Sequence, residues 1–210
     1  MLCILIFTIL YGLVPFLVLL FNNKRIQNKA IMPFTFVVFI ASVYEFVGSI
    51  LCKINVEYWF FIYVLLAFLS IHYFLYYLLG GELKKIFVLL AVFFLIFFVV
   101  LLFYTFSWSF LVINSFLNAY QTLIILFFSI IWVKRIFQEF EIDNFLNCSD
   151  FYYVSGLLIY YCGTVFLFLS ASYIYAEDHS NFQYYWLLNI ILNFVLRTLL
   201  IVGIWKARRE

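Results

Sequence analysis

Charge is what this sequence has least of. Only 10% of its 210 residues are Asp, Glu, Lys or Arg, while 69% are hydrophobic and mean hydropathy is +1.16. A water-soluble domain needs polar surface between its apolar stripes, and here too little exists to cover one. With a net charge of +2 and no strong basic cluster, nucleic-acid binding is excluded as a reading. The four cysteines, Cys3, Cys52, Cys148 and Cys162, show neither metal-ligand spacing nor a disulfide framework. Cys3 and Cys52 both fall near one predicted membrane face, but free apolar thiols are the favoured reading. The opening MLCILIFTIL has no basic leader and no small-residue cleavage site follows, so the first apolar segment is expected to be a retained span. No nucleophile–base pair, metal cluster or cofactor motif is present, which argues against an enzyme and against any bound cofactor or metal.

What remains is a chain whose solvent is lipid. A helix needs about 20 apolar residues to cross a bilayer, at about 1.5 Å of rise each. Segments 2–21, 31–51, 58–79, 86–104, 109–133, 151–175 and 182–205 meet that test, predicting an all-α, single-domain bundle of seven transmembrane helices. Residues 86–133 hold no charge; as one helix they would extend roughly 72 Å, so the chain must fold back, most simply at Thr105–Ser109.

Orientation follows from Lys and Arg. Ten of the twelve basic residues fall in alternate connections: Lys24, Arg25 and Lys29; Lys84 and Lys85; Lys134 and Arg135; Lys206, Arg208 and Arg209. The opposite connections hold only Lys53, which predicts an outer N-terminus and a cytoplasmic C-terminus. Trp59, Trp108 and Trp186 fall at predicted outer ends, and Trp132 and Trp205 at inner ends, as in an aromatic belt. The expected home is the cell membrane, read as a bacterial inner membrane.

The few polar groups inside the spans carry the functional signal. Phe and Tyr are too abundant, at 30 and 17, for an aromatic alone to mark a site. An acidic side chain deep in a span costs about 2.5 kcal/mol or more, so Glu45 should face the bundle interior. Asn114, Asn118 and Gln121 share one face of the fifth span; Asn189, Asn193 and Arg197 share one face of the seventh. Counting along each helix puts Glu45, Asn114 and Asn189 about 8 to 10 Å below the outer end, with Asn118 and Asn193 about 6 Å deeper. These five are the candidate ligand-binding residues, lining an outward cavity. The competing reading of the amides is interhelical hydrogen bonding that only holds the bundle together.

The same count places His72 and Arg197 about 21 to 22 Å down, a separate inner-leaflet polar site with Glu45 some 12 Å out of reach. Gly156, Gly163 and Ser170, spaced by sevens, predict close helix packing, and Gly12 with Pro15 a kinked first span. The segment 134–150, KRIFQEFEIDNFLNCSD, interleaves Ile136, Phe137, Phe140, Phe145 and Leu146 with acids. It reads as an interfacial helix, as a docking surface for a cytoplasmic or membrane partner, or as a solvated loop.

Ser155, Gly156, Tyr160 and Gly163, followed by an asparagine-spaced last span ending Gly203-Ile204-Trp205-Lys206, are similar to the final two helices of uncharacterised bacterial multi-helix membrane modules. Some of those modules are attached to sensor histidine kinases. The resemblance covers about a quarter of the chain and implies a signal-input module. With no kinase domain before Glu210, output would pass through a separate partner. Microbial rhodopsins share the helix count, but the seventh span has Arg197 and no lysine for retinal. Heptahelical zinc hydrolases need intramembrane His and Asp ligands that these spans do not supply.

The expectation is a non-enzymatic sensory or accessory membrane protein that binds a small or lipophilic ligand. A 3+1+3 transporter and a membrane enzyme are the alternatives.

Overall fold

A computed structural model describes residues 2–22, 29–52, 57–81, 83–104, 110–139, 146–177 and 182–208. All regular structure among them is helical: α1 (Leu2–Tyr11), α2 (Val14–Asn22), α3 (Met32–Tyr44) continued by a π-helix (Glu45–Leu51), α4 (Glu57–Leu78), α5 (Lys84–Phe103), α6 (Phe110–Glu139), α7 (Ser149–Glu177) and α8 (Phe182–Ala207). Among the described residues, six stretches are long and apolar enough to cross a membrane: Ile4–Phe21, Trp59–Leu78, Lys84–Phe103, Val112–Gln138, Ser149–Ala171 and Tyr184–Ala207. The chain therefore folds as a helical bundle of the multi-pass membrane type. The seventh expected span, over α3, is a shorter apolar helix, Met32–Gly48.

The first span is broken, as Gly12 and Pro15 predict. Gly12 and Leu13 form a turn, with Gly12 N–H bonded to the Ile9 carbonyl at 3.0 Å, and Pro15 has no N–H to return to Tyr11. In α3 the helical ladder widens after Tyr44, and Cys52 N–H bonds five residues back to the Val47 carbonyl at 2.9 Å. π-turns of this kind are rare and gather at functional sites. At the far end of α4, Gly80 and Gly81 take φ of 62° and 72°. Their N–H groups bond to the Tyr77 and Tyr76 carbonyls at 3.1 and 3.3 Å, the paired bonds of a Schellman motif. Two successive left-handed residues suit only glycine at that turn.

Packing is tightest between α7 and α8. A Cβ on Gly163 would lie 2.6 Å from Leu192 Cδ1, and one on Gly156 3.2 Å from Leu199 Cβ. Gly203 faces the Tyr153 ring, with Cδ1 2.6 Å from where a Cβ would stand. Between lipid-embedded helices, attraction depends on such close approach, because lipid tails offer apolar groups no penalty to escape. Ser170 is exposed instead of joining the stripe, since a seven-residue repeat drifts about 20° per heptad around a straight helix. At the other extreme, α5 buries only Phe87, Phe94, Phe98 and Leu101, packs chiefly on α4 and α6, and exposes residues such as Val88, Phe93 and Ile96. That is the peripheral, lipid-facing helix its uniform apolarity predicts.

Two expectations need correction. Trp132 is 5% exposed and belongs to the core, not to an interfacial belt. The segment 134–150 is not one loop: α6 continues through Glu139 and α7 starts at Ser149. Ile136 is buried in the core, while Phe137 and Leu146 are exposed. Glu141, Asp143, Phe140 and Phe145 lie outside the described residues, as does the Thr105–Ser109 turn. Cys52, Cys148 and Cys162 form no disulfide, and the Cys3 side chain is outside the description.

Candidate ligand cavity

A cavity of about 370 Å³ opens at the end of the bundle where α1, α4, α6 and α8 begin. Small-molecule sites run from about 300 to 1,000 Å³, so this one suits a small ligand. Each wall has a sequence reason to stand there. Glu45 comes from the first residue of the π-helix, Asn114 and Asn118 from one face of α6, and Asn189 and Asn193 from one face of α8. All five face the one cavity. Apolar groups complete it, with Val38 and Ala41 from α3 and an aromatic group of Phe60, Phe168, Phe182 and Trp186. Trp186 stacks on Phe182 at 5.5 Å and meets Phe168 edge-on at 5.8 Å.

Arg197 also lines this cavity, and its expected partnership with His72 does not hold. The physical reason is side-chain direction. Helical side chains lean toward their own N-terminus. In α8 that lean carries the guanidinium toward the cavity end, and in the π-helix that continues α3, which runs the opposite way, it turns the Glu45 carboxyl down toward the same cavity. Counting backbone rise ignored both leans. The two groups interact electrostatically across the cavity. Arg197 Nη1 donates to the Thr8 carbonyl at the broken turn of α1, and Nε has no hydrogen-bond partner. Gly12 makes the crossing possible: a Cβ there would fall on Ser42 Oγ and 2.8 Å from Arg197 Cζ.

The amides are partly committed to the scaffold. Asn118 Nδ2 donates to the Asn114 carbonyl and to Asn114 Oδ1, at 2.8 and 3.0 Å. Tyr160 OH donates to Asn189 Oδ1 at 3.2 Å and also pairs with Asn193. Below the cavity floor, Gln121 Nε2 donates to Tyr161 OH at 2.7 Å, tying α6 to α7. That bond is the interhelical type expected for Gln121; the asparagines serve packing and still present polar edges to the cavity.

His72 lies elsewhere. It is 9% exposed, stacked on Phe68 at 5.1 Å and set edge-on to Phe87 and Phe128, with Nε2 2.9 Å from the Phe87 carbonyl and Nδ1 unpartnered. A carbonyl can only accept, so Nε2 carries a proton and donates it to Phe87. It ties α4 to α5 and borders no comparable space.

Sequence reasoning passed over Thr8, Tyr63 and Tyr160, all cavity-lining. The tyrosines were camouflaged by their number, and Thr8 contributes a backbone carbonyl that no side-chain pattern reveals. Among the described residues no group of three His, Cys, Asp or Glu side chains converges on a metal-sized point. Compared with protein-family models, with curated proteins and with solved structures, the chain matches none, so the cavity itself is the ground for any functional reading.

Proposed function

We propose that this chain is a seven-span, non-enzymatic membrane protein that binds a small ligand in an outward-facing polar cavity and passes the event to a partner. The observation that carries this reading is the convergence of Glu45, four asparagines and Arg197 on one cavity, in a medium where each such group is costly. Scattered packing residues have no reason to gather around empty space.

The orientation, N-terminus out and C-terminus in, is supported by the basic connections. Lys84 and Lys85 are exposed, Arg135 approaches Gly80, and Lys206 Nζ donates to Asn147 Oδ1 at 3.1 Å, all at the end away from the cavity. The seventh span is α3 with its π-helical continuation, Met32–Leu51. A bacterial inner membrane and a signalling role follow the resemblance of the last two helices to kinase-linked modules. The partner surface is the basic end, with exposed Phe137 and Leu146.

The test is ligand-dependent thermal stabilisation in nanodiscs, screened with a small-metabolite library. The double variant Glu45→Gln, Asn189→Ala is expected to lose every stabilisation the native protein shows. An undiminished shift in that variant would take the cavity out of the argument. A second reading, a small transporter, is favoured by one observation: two helices that wall the cavity are irregular, α1 breaking at Gly12 and α3 widening at Glu45. Discontinuous helices around a polar site are a transporter device. Uptake of the stabilising ligand into proteoliposomes separates the two.

A further inference from the structure

We infer that the cavity is built for a zwitterion: a small molecule, or a headgroup, carrying one cation and one anion a few bonds apart beside an apolar portion. This rests on the ligand-binding reading above and narrows it.

The argument begins with two opposite charges on one cavity. Glu45 and Arg197 both border the 370 Å³ space, from helices running in opposite directions. Arg197 is 6% exposed as a residue, has Nη1 engaged by the Thr8 carbonyl, and keeps a buried Nε without a hydrogen-bond partner. A guanidinium offers five donors in a planar fork, a geometry matched to carboxylate or phosphate. The Glu45 carboxylate accepts hydrogen bonds and attracts a cation.

Consider what each ligand class would do here. A neutral apolar molecule would shield both charges from water and return nothing to either, leaving two desolvated ions offset only by each other's field across the cavity. A simple anion would satisfy Arg197 but stand near Glu45, and a simple cation would reverse the problem. A zwitterion oriented with its cation toward Glu45 and its anion toward Arg197 compensates both and adds no net charge to a low-dielectric site. The rest of the wall agrees. Asn114 and Asn189 carboxamides can serve either sign, and Phe60 with Trp186 offers an aromatic surface to an apolar substituent or to an ammonium face.

Two sources supply this chemistry: a free amino acid or betaine, and the amine-bearing phosphate headgroup of a phospholipid. They are separated by the bilayer used. The protein is reconstituted in nanodiscs of phosphatidylglycerol, whose headgroup carries no cation, and in matched discs of phosphatidylethanolamine. Binding is measured calorimetrically with four probes that differ by one charge at a time: L-phenylalanine, N-acetyl-L-phenylalanine, phenethylamine and ethylbenzene.

If the free zwitterion is the source, phenylalanine binds in both discs and each singly charged analogue is weaker by at least about tenfold, the worth of a charge-assisted hydrogen bond. Glu45→Gln then erases the preference for the ammonium, and Arg197→Gln the preference for the carboxylate. If the lipid is the source, phosphatidylethanolamine raises thermal stability over phosphatidylglycerol in the native protein and not in Glu45→Gln, and phenylalanine binds only in the latter discs. A cooperative thermal unfolding transition of each variant in ligand-free discs reports that the bundle is still folded. Ethylbenzene or a singly charged probe binding as tightly as phenylalanine, with no lipid preference, overturns the zwitterion and leaves the ligand cavity standing. No binding by any probe and no lipid preference overturns both.

Discussion

The two ends of the bundle share α4, α6 and α7 and are solved by opposite means. At the end where α1 and α8 begin, Glu45, Arg197 and the asparagines hold the walls apart around about 370 Å³ of space. Through the middle and toward the other end, rings pack closely: Phe68 stacks on Phe94 at 3.7 Å, Phe87 on Phe128 at 3.8 Å, and Phe74 meets Tyr153 edge-on at 5.9 Å. Lipid surrounds both ends, so hydrophobicity does not distinguish them. Shape does at one end, through rings and glycines that fit. Polarity does at the other, through groups that cannot be packed against hydrocarbon without loss.

That contrast can be broken from either side. The largest effect should come from Phe128→Ala. Its ring is 0% exposed, and the void it leaves is worth about 3 kcal/mol of stability by analogy with core truncations. Reversible unfolding in bicelles reads this, and a loss under about 1 kcal/mol would mean the rings do not carry that end. Gly12→Ala should cost about 1–3 kcal/mol through overpacking against Ser42 and Arg197. Unlike Phe128→Ala it should also alter ligand-induced stabilisation, because it displaces a cavity wall; equal ligand shifts in both variants would show the two ends are not separable. Gln121→Leu removes the α6–α7 bond to Tyr161 and should cost only about 0.6 kcal/mol, as bonds between membrane helices usually do. Least of all, Phe93→Ala on the lipid face of α5 should stay within about 0.5 kcal/mol in the same assay.

Much of this was legible beforehand, and the reasons are specific. Helix positions followed from apolar length, and the break at Gly12 from a proline that lacks its N–H. The cavity asparagines and Glu45 stood out because polar side chains are scarce here and fall on single helical faces. Arg197 was misplaced because distance along a backbone is not the position of a long side chain, which can climb toward its helix N-terminus. The π-helix at Glu45 has no sequence signature, since wider hydrogen bonding there answers to tertiary packing. Tyr63 and Tyr160 were invisible for the opposite reason to the asparagines, being common residues doing an uncommon job. Gly12 was read as a kink when its larger role is to leave room for a guanidinium.

The interruption in the first span has one more consequence. Leu2–Tyr11 rests against α8 by rings, Tyr11 on Phe194 at 4.8 Å and Phe7 on Phe194 at 6.1 Å, by a 3.3 Å hydroxyl bond from Tyr11 to Thr198, and by the Arg197 grip on Thr8. Pro15 leaves the backbone ladder unfinished at its foot. Moving this short rod of about 15 Å would therefore strain side chains but tear no continuous helix, and one of the contacts that must give is made by the same arginine that faces the cavity.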